Sequence, residues 1–185
     1  MQVALVERAR AGDEEAFASL ARAAGDRLLA IAYRILRDLG LAEDAVQQTL
    51  VLAWRELPTL RDADRFDAWL RRLLVNACYR EARRGRQWAT NVQLLSTDQV
   101  SPTDAYTSVA ERDQLERGFR RLPPEQRAVF VFHHYLGLTL IEVAGELDVP
   151  LGTVKSRLHY ATNTLRAAIE ADLRVPTNSS REHSA

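Results

Sequence analysis

Apolar side chains recur every three to four residues along most of this 185-residue chain, which is the spacing of amphipathic helices. In the N-terminal half the pattern predicts helices over residues 3–10, 14–36, 41–57 and 65–84. Gly12-Asp13, residues 38–40 and residues 58–64 interrupt the pattern, and such polar or glycine-containing breaks end helices. These four segments are predicted to form one helical bundle.

The apolar period is lost between about residues 87 and 107, where serine, threonine, aspartate and proline accumulate as they do in linkers. Helical spacing resumes near residue 108, and Pro123 and Pro124 mark the start of a middle helix. We therefore predict an all-α protein of two small helical domains joined by a flexible linker, with a disordered tail. The predicted boundaries are 1–87 and 108–172 for the domains, 88–107 for the linker and 173–185 for the tail.

The segment 139–165 has the spacing of two short helices that cross at a tight turn. Ile141, Val143, Ala144 and Leu147 form the predicted buried stripe of the first helix, and Val154, Leu158, Ala161 and Leu165 form that of the second. Asp148-Val149-Pro150 supplies the turn, because Pro150 cannot continue a helix interior.

The second helix would present Ser156, His159, Tyr160 and Asn163, with Lys155 and Arg157 on its flanks. This pattern predicts a helix-turn-helix with a recognition helix. On periodicity alone, an ordinary helical hairpin with a solvated polar side remains the alternative.

The sequence VPLGTVKSRLHYA at 149–161 resembles the recognition-helix signature of bacterial sigma factors of the compact extracytoplasmic-function (ECF) type. The resemblance continues upstream through LPPEQR at 122–127 and YLGLT at 135–139, which look like the preceding helices of that family's promoter-binding domain. It implies that the second domain contacts the minus-thirty-five duplex through Thr153, Lys155, Ser156, Arg157, His159 and Tyr160.

The recognition segment departs from the family pattern at two places. Asp148 stands in the turn where many members carry glycine, and we expect the turn to be kept because aspartate tolerates the left-handed region. His159-Tyr160-Ala161 stands where Arg-Ala-Arg is common, which leaves the DNA sequence preference open.

The helix predicted over 65–84 has two contrasting sides. Phe66, Trp69, Leu70, Leu73 and Ala77 share the apolar arc, and Arg72, Asn76, Tyr79, Arg83 and Arg86 gather opposite. Cations, an amide and an aromatic ring suit single-stranded nucleic acid, although a solvated arginine-rich face is the alternative. The sequences FDAWL at 66–70 and VNAC at 75–78 resemble the sigma family's minus-ten region, and residues 57–65 resemble its base-capturing loop. The resemblance implies minus-ten contacts by Arg61, Arg72, Asn76, Tyr79, Arg83 and Arg86.

The helix predicted over 41–57 carries a polar face with the sequence AEDAVQQT at 42–49. This sequence looks like the family's main docking surface for the clamp helices of the RNA polymerase largest subunit. The resemblance assigns that role to Asp44, Gln47, Gln48 and Val51, and Gln48 replaces the usual glutamate. The alternative is an ordinary hydrophilic helix face.

Charge distribution and the few cysteine and histidine residues limit which binding and metal sites the chain can form. The formal net charge is zero, but Arg71, Arg72, Arg80, Arg83, Arg84 and Arg86 face only Glu81 in their segment. Cys78 is the single cysteine, so we expect a buried structural thiol and no intramolecular disulfide framework. His133 and His134 are adjacent on a helix, where side chains diverge by about 100° and do not easily share a metal.

Catalytic signals are missing from the sequence. There is no Gly-rich phosphate loop and no recognisable nucleophile motif, so we expect no catalysis, no cofactor and no metal. No apolar run approaches membrane-spanning length, so we expect a soluble cytoplasmic protein without membrane insertion.

The resemblance implies a sigma initiation factor. Its partners would be promoter DNA and core RNA polymerase, bound at the clamp helices of the largest subunit and the flap of the second-largest subunit, and the family allows for an anti-sigma factor. The alternative is an autonomous helix-turn-helix regulator, usually a homodimer on duplex sites. A helical adaptor that binds only proteins is a further alternative.

Overall fold

The computed structural model describes residues 2–93 and 110–173, which are helical nearly throughout. The helices are α1 (Gln2–Arg10), α2 (Glu14–Leu36), α3 (Leu39–Glu56), α4 (Phe66–Gln93), α5 (Ala110–Arg121), α6 (Pro124–Phe130), α7 (Leu140–Leu147) and α8 (Leu151–Leu173). Short 3₁₀ turns at Leu57–Thr59 and Ala63–Arg65 lie between α3 and α4, and α6 continues into a π-helical turn at Val131–Tyr135. The predicted all-α class is confirmed.

Side chains at the helix starts explain where the helices begin. Asp13 accepts the Ala16 amide at 2.9 Å and caps α2, and Asp38 accepts the Leu41 amide at 2.8 Å and caps α3. A capping box starts α7, because Thr139 accepts from the Glu142 amide while the Glu142 carboxylate accepts from the Thr139 amide. The polar breaks in the sequence therefore act as specific start signals.

The N-terminal half, α1 to α4, packs around an apolar interior. Leu28, Ile31 and Ile35 of α2 and Leu74 of α4 are fully buried. Cys78 is buried in the same cluster, and burial raises the pKa of its thiol to about 12. The prediction of a buried structural thiol is confirmed, and at neutral pH this thiol is protonated.

The C-terminal half holds the helix-turn-helix. Val143 of α7 and Val154 of α8 are fully buried in the main apolar cluster, and Ala161 of α8 is fully buried in a smaller cluster with Leu122 and Leu165. Further along the same side of α8, Gly118 of α5 allows a close approach, since a Cβ there would meet Ala168 and Leu165 side-chain carbons at 3.1 Å. The prediction for this segment is wrong at Ile141, which is 73 % exposed. Helix α7 has only eight residues, and its buried stripe is narrow. The stripe consists of Val143 with the half-buried Leu140 and Leu147, and Ile141 lies outside it.

The two halves pack against each other. Val129, Phe132 and Val143 belong to the same apolar cluster as Leu28 and Leu74. The Arg34 guanidinium lies 3.8 Å from the Tyr135 ring centroid, and Arg37 at the end of α2 pairs with Glu116 of α5. Helix α4 also extends to Gln93, beyond residue 88 where a linker is predicted. The rest of the predicted linker, 94–107, and most of the predicted tail lie outside the described residues.

Candidate nucleic-acid and partner surfaces

Helix α8 presents most of the predicted minus-thirty-five residues to solvent. Val154, Ala161 and Leu165 are buried, which turns the opposite side of the helix outward. On that side Lys155, Ser156, His159 and Tyr160 are exposed, while Thr153 and Arg157 are half-buried. Ser156 Oγ donates to the Thr153 carbonyl at 3.0 Å, and Asn163 Nδ2 lies 2.9 Å from His159 Nε2. The exposed groups include donors, acceptors and a cation, which is the chemistry of a recognition helix.

The turn before α8 is held by a left-handed residue. Asp148 has φ 54° and ψ 49°, and its backbone amide donates to the Ala144 carbonyl. Helices commonly end with glycine or asparagine in this conformation, and aspartate also adopts it. The expectation that Asp148 keeps the turn is confirmed.

Helix α4 exposes most of the predicted minus-ten residues. Arg72, Asn76, Arg83 and Arg86 are exposed, and Arg61 is exposed in the segment before α4. Trp69 is half-buried, with its ring centroid 5.9 Å from that of Phe66.

Tyr79 differs from its neighbours on this face. Its hydroxyl is buried without a hydrogen-bond partner among the described residues, so the prediction of an outward ring is wrong for this arrangement. Burial raises the pKa of Tyr79, and the Arg157 cation acts in the opposite direction. Tyr79 of the minus-ten set and Arg157 of the minus-thirty-five set therefore lie within electrostatic range of each other.

Ion pairs join these two surfaces directly. Arg71 of α4 pairs with Glu146 of α7 through two guanidinium nitrogens, Nε and Nη2, and Arg72 of α4 pairs with Asp148 of the turn at 2.5 Å. A cavity of about 730 Å³ lies beside these pairs, lined by Arg61, Arg65, Trp69, Ile141 and Glu142 among others. The loop that resembles a base-capturing segment thus faces α7. In this arrangement the helix-turn-helix covers part of the predicted minus-ten surface.

The predicted docking face on α3 is largely open. Asp44, Gln47 and Val51 are exposed, and Val51 retains 47 % of its accessible surface. Gln48 is half-buried, and its amide donates a short hydrogen bond to the Glu81 carboxylate on α4. Gln48 therefore has a structural partner, while the other three form a continuous outward surface.

Several polar groups in these surfaces were not identified from the sequence. Glu146 and Glu116 pair with arginines about 75 and 79 positions away, and no local pattern indicates such distant partners. Glu81 is 2 % exposed and receives Gln48 and, at 3.4 Å, Arg84. Glu81 is the single acidic residue among the arginines of 71–86, and this isolation was the one sequence feature that could have indicated a paired, buried carboxylate.

The histidine pair has local partners. His133 Nδ1 lies 2.8 Å from the Leu138 carbonyl, and the His134 ring lies 4.4 Å from the Phe130 ring centroid. Burial, followed by the neighbouring His133, lowers the pKa of His134. Across residues 2–93 and 110–173, no three His, Cys, Asp or Glu side chains converge as metal ligands would. Within the same ranges no helix is long and apolar enough to cross a membrane.

Family models match both halves of the chain. The model described as Sigma-70 region 2 matches residues 20–89, which include α3, the loop before α4 and most of α4. The model described as Sigma-70, region 4 matches residues 112–165, which include the helix-turn-helix.

Relatives match over nearly the whole chain. The ECF RNA polymerase sigma factor SigL of Mycobacterium tuberculosis is 33% identical over 166 residues, which are 86% of this chain and 94% of SigL. The RNA polymerase sigma-E factor of Streptomyces coelicolor is 33% identical over 181 residues, covering 94% of this chain and 99% of the relative.

Solved structures share the fold. CnrH, solved in complex with the cytosolic domain of CnrY, superposes with a TM-score of 0.64 at 26% identity, over 92% of this chain and 98% of that chain. The sigma factor RpoE of Bartonella quintana, in complex with the anti-sigma factor NepR, gives a TM-score of 0.61 at 24% identity, over 80% of this chain and 92% of that chain.

Proposed function

The chain belongs to the ECF RNA polymerase sigma factors, and we propose that it directs core RNA polymerase to specific promoters and helps to open them. In this role it is a specificity subunit. The free energy of binding unpaired bases offsets the cost of opening the duplex, and the polymerase performs the chemistry. The chain itself needs no catalytic group, and we place its action in the cytoplasm with the polymerase.

The observation that carries this proposal is the presence of two exposed polar faces of different chemistry in one chain. The outer side of α8 offers short polar groups and cations that suit a duplex groove. The outer side of α4 offers Arg72, Asn76 and Arg83, which suit a bared strand and its backbone. An autonomous helix-turn-helix regulator needs only the first face, and a protein-binding adaptor needs neither.

Docking on the polymerase is assigned to α3. Asp44, Gln47 and Val51 form an exposed surface that combines a carboxylate, an amide and an aliphatic group. Such mixed surfaces remain soluble when free and still bury apolar area when bound. We place the largest-subunit clamp helices on this face. Gln48 lies at the edge of this face and fixes α3 to α4 through its hydrogen bond to Glu81.

Further partners follow from the same proposal. We place the second-largest subunit's flap against the C-terminal half, in line with family organisation. An anti-sigma factor is proposed as a regulator, supported by CnrH, which was solved with a bound protein domain.

Promoter engagement requires the two halves to separate. The pairs Arg71–Glu146 and Arg72–Asp148 join the two proposed DNA faces, so both faces cannot be fully used while these contacts persist. We propose that the described arrangement is the form without DNA. Core polymerase and promoter would favour a form in which α7 has left α4.

The test has two steps. The full chain is mixed with core polymerase to select bound genomic fragments, and the selected fragments are then assayed for opening with the chain, the core or both. A sigma factor gives permanganate-reactive thymines in the minus-ten region only when chain and core are both present. Duplex binding by the chain alone, without core-dependent opening, would instead support the autonomous regulator. If the chain shows neither duplex binding nor core-dependent opening, the protein-binding adaptor is supported instead.

A matched pair of variants tests the docking face. The double variant Asp44→Ala with Gln47→Ala should reduce core binding about tenfold or more, while keeping the thermal unfolding midpoint. The control Asp26→Ala removes an exposed carboxylate of α2 and should bind core as the wild type does. Equal core affinity for all three proteins would remove α3 from the docking surface.

A further inference from the structure

A second cavity lies where the two halves meet, away from the contact between α4 and α7. Its volume is about 490 Å³. Leu36 and Leu41 from the end of α2 and the start of α3 form one wall, with Ala82 and Gly85 of α4. The segment 120–124 and Arg127 of α6 form the other wall. Apart from Arg86, none of the predicted promoter or polymerase contacts lines this cavity.

Arg127 is the unusual group in this cavity. Its residue surface is only 8 % exposed, and its Nε has no hydrogen-bond acceptor. It forms no ion pair with any residue in the described ranges. Burial, and then the Arg37 and Arg86 cations, lower the pKa of Arg127 to about 10, against a smaller opposite effect of Glu125. A buried guanidinium therefore stands among like charges.

The remaining lining is also cationic. Arg86, Arg120 and Arg121 line the cavity with Arg127, and no aspartate or glutamate is among the described residues of the lining. Arg121 is exposed at the end of α5. Arg120 donates to Glu116 at 3.5 Å, and Arg86 and Arg120 have further partners, so these two contribute mainly positive potential. Arg127 and Arg121 are the groups on which an added anion would depend.

Physical chemistry favours an anion here. Burying a charge without a partner is unfavourable, and an acceptor for its donors removes much of that cost. Guanidinium groups bind phosphoryl oxygens in a two-pronged geometry. A volume of about 490 Å³ lies in the range of small-molecule sites and is too small for a DNA duplex, whose major groove alone is about 12 Å wide.

We propose that this cavity binds a small phosphorylated anion, with Arg127 as the buried donor and Arg121 as the donor at its mouth. The site lies apart from the predicted promoter and polymerase contacts, with which it shares only Arg86. Because its walls come from both halves of the chain, an occupant would hold α4 and α6 together. The ligand would therefore stabilise the arrangement in which the two DNA faces are joined.

The test uses the purified full chain without polymerase or DNA, and inorganic pyrophosphate as the probe. Thermal unfolding is followed in a magnesium-free buffer, with sodium chloride adjusted to keep ionic strength constant. Saturating pyrophosphate should raise the unfolding midpoint by several degrees. Sodium sulfate at the same ionic strength should have a much smaller effect. Equal shifts with both salts, or no shift with either, would overturn the proposal.

Variants locate the binding. Arg121→Gln alters an exposed side chain, so it should fold as the wild type does and lose most of the pyrophosphate shift. Arg127→Gln should lose all of it. The control Arg22→Gln removes an exposed arginine of α2 that lies 14 residues before Leu36, about 21 Å along the helix, and should keep the full shift. A shift that survives both cavity variants would overturn the assignment.

A further arm separates a free anion from a DNA backbone phosphate. A short duplex oligonucleotide is titrated in place of pyrophosphate, and the Arg121→Gln variant is compared with the wild type. The proposal requires pyrophosphate binding to depend on Arg121 and Arg127. Dependence on these arginines with DNA but not with pyrophosphate would make the cavity a DNA contact and would refute the small-ligand assignment.

Discussion

Arg71 and Glu146 form a two-pronged ion pair between α4 and the first helix of the helix-turn-helix. Arg71 Nε donates to one carboxylate oxygen at 2.7 Å and a terminal nitrogen donates to the other at 2.5 Å. Both side chains are largely shielded, at 15% and 11% exposure. The hydrogen bonds from Arg71 to Glu146 raise the pKa of Arg71. This pair is a specific contact between α4 and α7, the helices that adjoin the two predicted DNA faces.

Glu146→Gln should favour separation of the halves. The amide has a single oxygen to accept from Nε and Nη2 of Arg71, and losing a charged acceptor in a shielded site costs about 1 to 3 kcal/mol. We expect a larger radius of gyration by small-angle X-ray scattering and tighter binding of a minus-thirty-five duplex by the chain alone. The charge swap, Arg71→Glu with Glu146→Arg, should restore much of the wild-type behaviour. An unchanged radius and affinity in Glu146→Gln would mean that the pair does not control separation.

Substitutions at Asp148 should separate the turn from the ion pair with Arg72. Asp148→Gly places a glycine at this position, and glycine adopts φ near 54° without strain. The fold should therefore be retained while the Arg72 contact is lost. Asp148→Val adds a β-branched side chain in the left-handed region, which costs about 1 to 2 kcal/mol. Urea unfolding of both variants measures the difference. Equal stabilities would contradict the strained turn.

Ser156 and His159 are predicted to read individual base pairs. Ser156→Ala or His159→Ala should change the preference at particular minus-thirty-five positions by about 1 to 3 kcal/mol, as the loss of base contacts does. Holoenzyme binding to a set of single-position promoter variants measures this effect. A uniform loss across all variants would instead assign these side chains to backbone positioning.

Arg157 is predicted to contact phosphate. Arg157→Ala should weaken binding to every promoter and reduce the slope of log affinity against log salt by about one unit. Arg166→Ala is the matched control, because Arg166 is an exposed arginine on the same helix, more than two turns away. The assignment would fail if Arg157→Ala kept the wild-type slope, or if both variants changed it equally.

The capping box at Thr139 should contribute to stability in a pH-dependent way. Side-chain and backbone hydrogen bonds from Thr139 lower the pKa of Glu142 from its ordinary value of 4.5. The contribution of the Glu142 carboxylate is therefore complete above pH 4.5 and is lost as pH falls through the lower folded-state value. Thr139→Ala should cost about 1 kcal/mol at pH 7. Urea unfolding at pH 7 and pH 3 should give a smaller difference between Thr139→Ala and wild type at the lower pH.

The sequence predicted features that depend on local chemistry. Helix α2 begins and ends where its apolar period and Asp13 indicate, and the turn at Asp148 follows from Pro150 and from the tolerance of aspartate for the left-handed region. Family resemblance supplied the assignment of Ser156 and Asn76 to different DNA elements, and those residue roles stay predictions.

Features that depend on distant contacts were not predictable from periodicity. Tyr79 lies on the polar arc of α4, yet its hydroxyl is buried, and Arg157 and Glu125 of the C-terminal half lie within electrostatic range of it. Ile141 has an apolar side chain but falls outside the narrow contact stripe of a short helix. The charge balance of Arg127 depends on Arg37 and Arg86, which tertiary packing brings close.

The two ion pairs of α4 differ in their access to water. Arg72 and Asp148 keep 46% and 70% of their side-chain surface, so dissolved ions screen their attraction. Arg71 and Glu146 are shielded and respond much less. Rising ionic strength should therefore loosen the turn at Asp148 before it frees α7, which gives the separation of the halves a defined order.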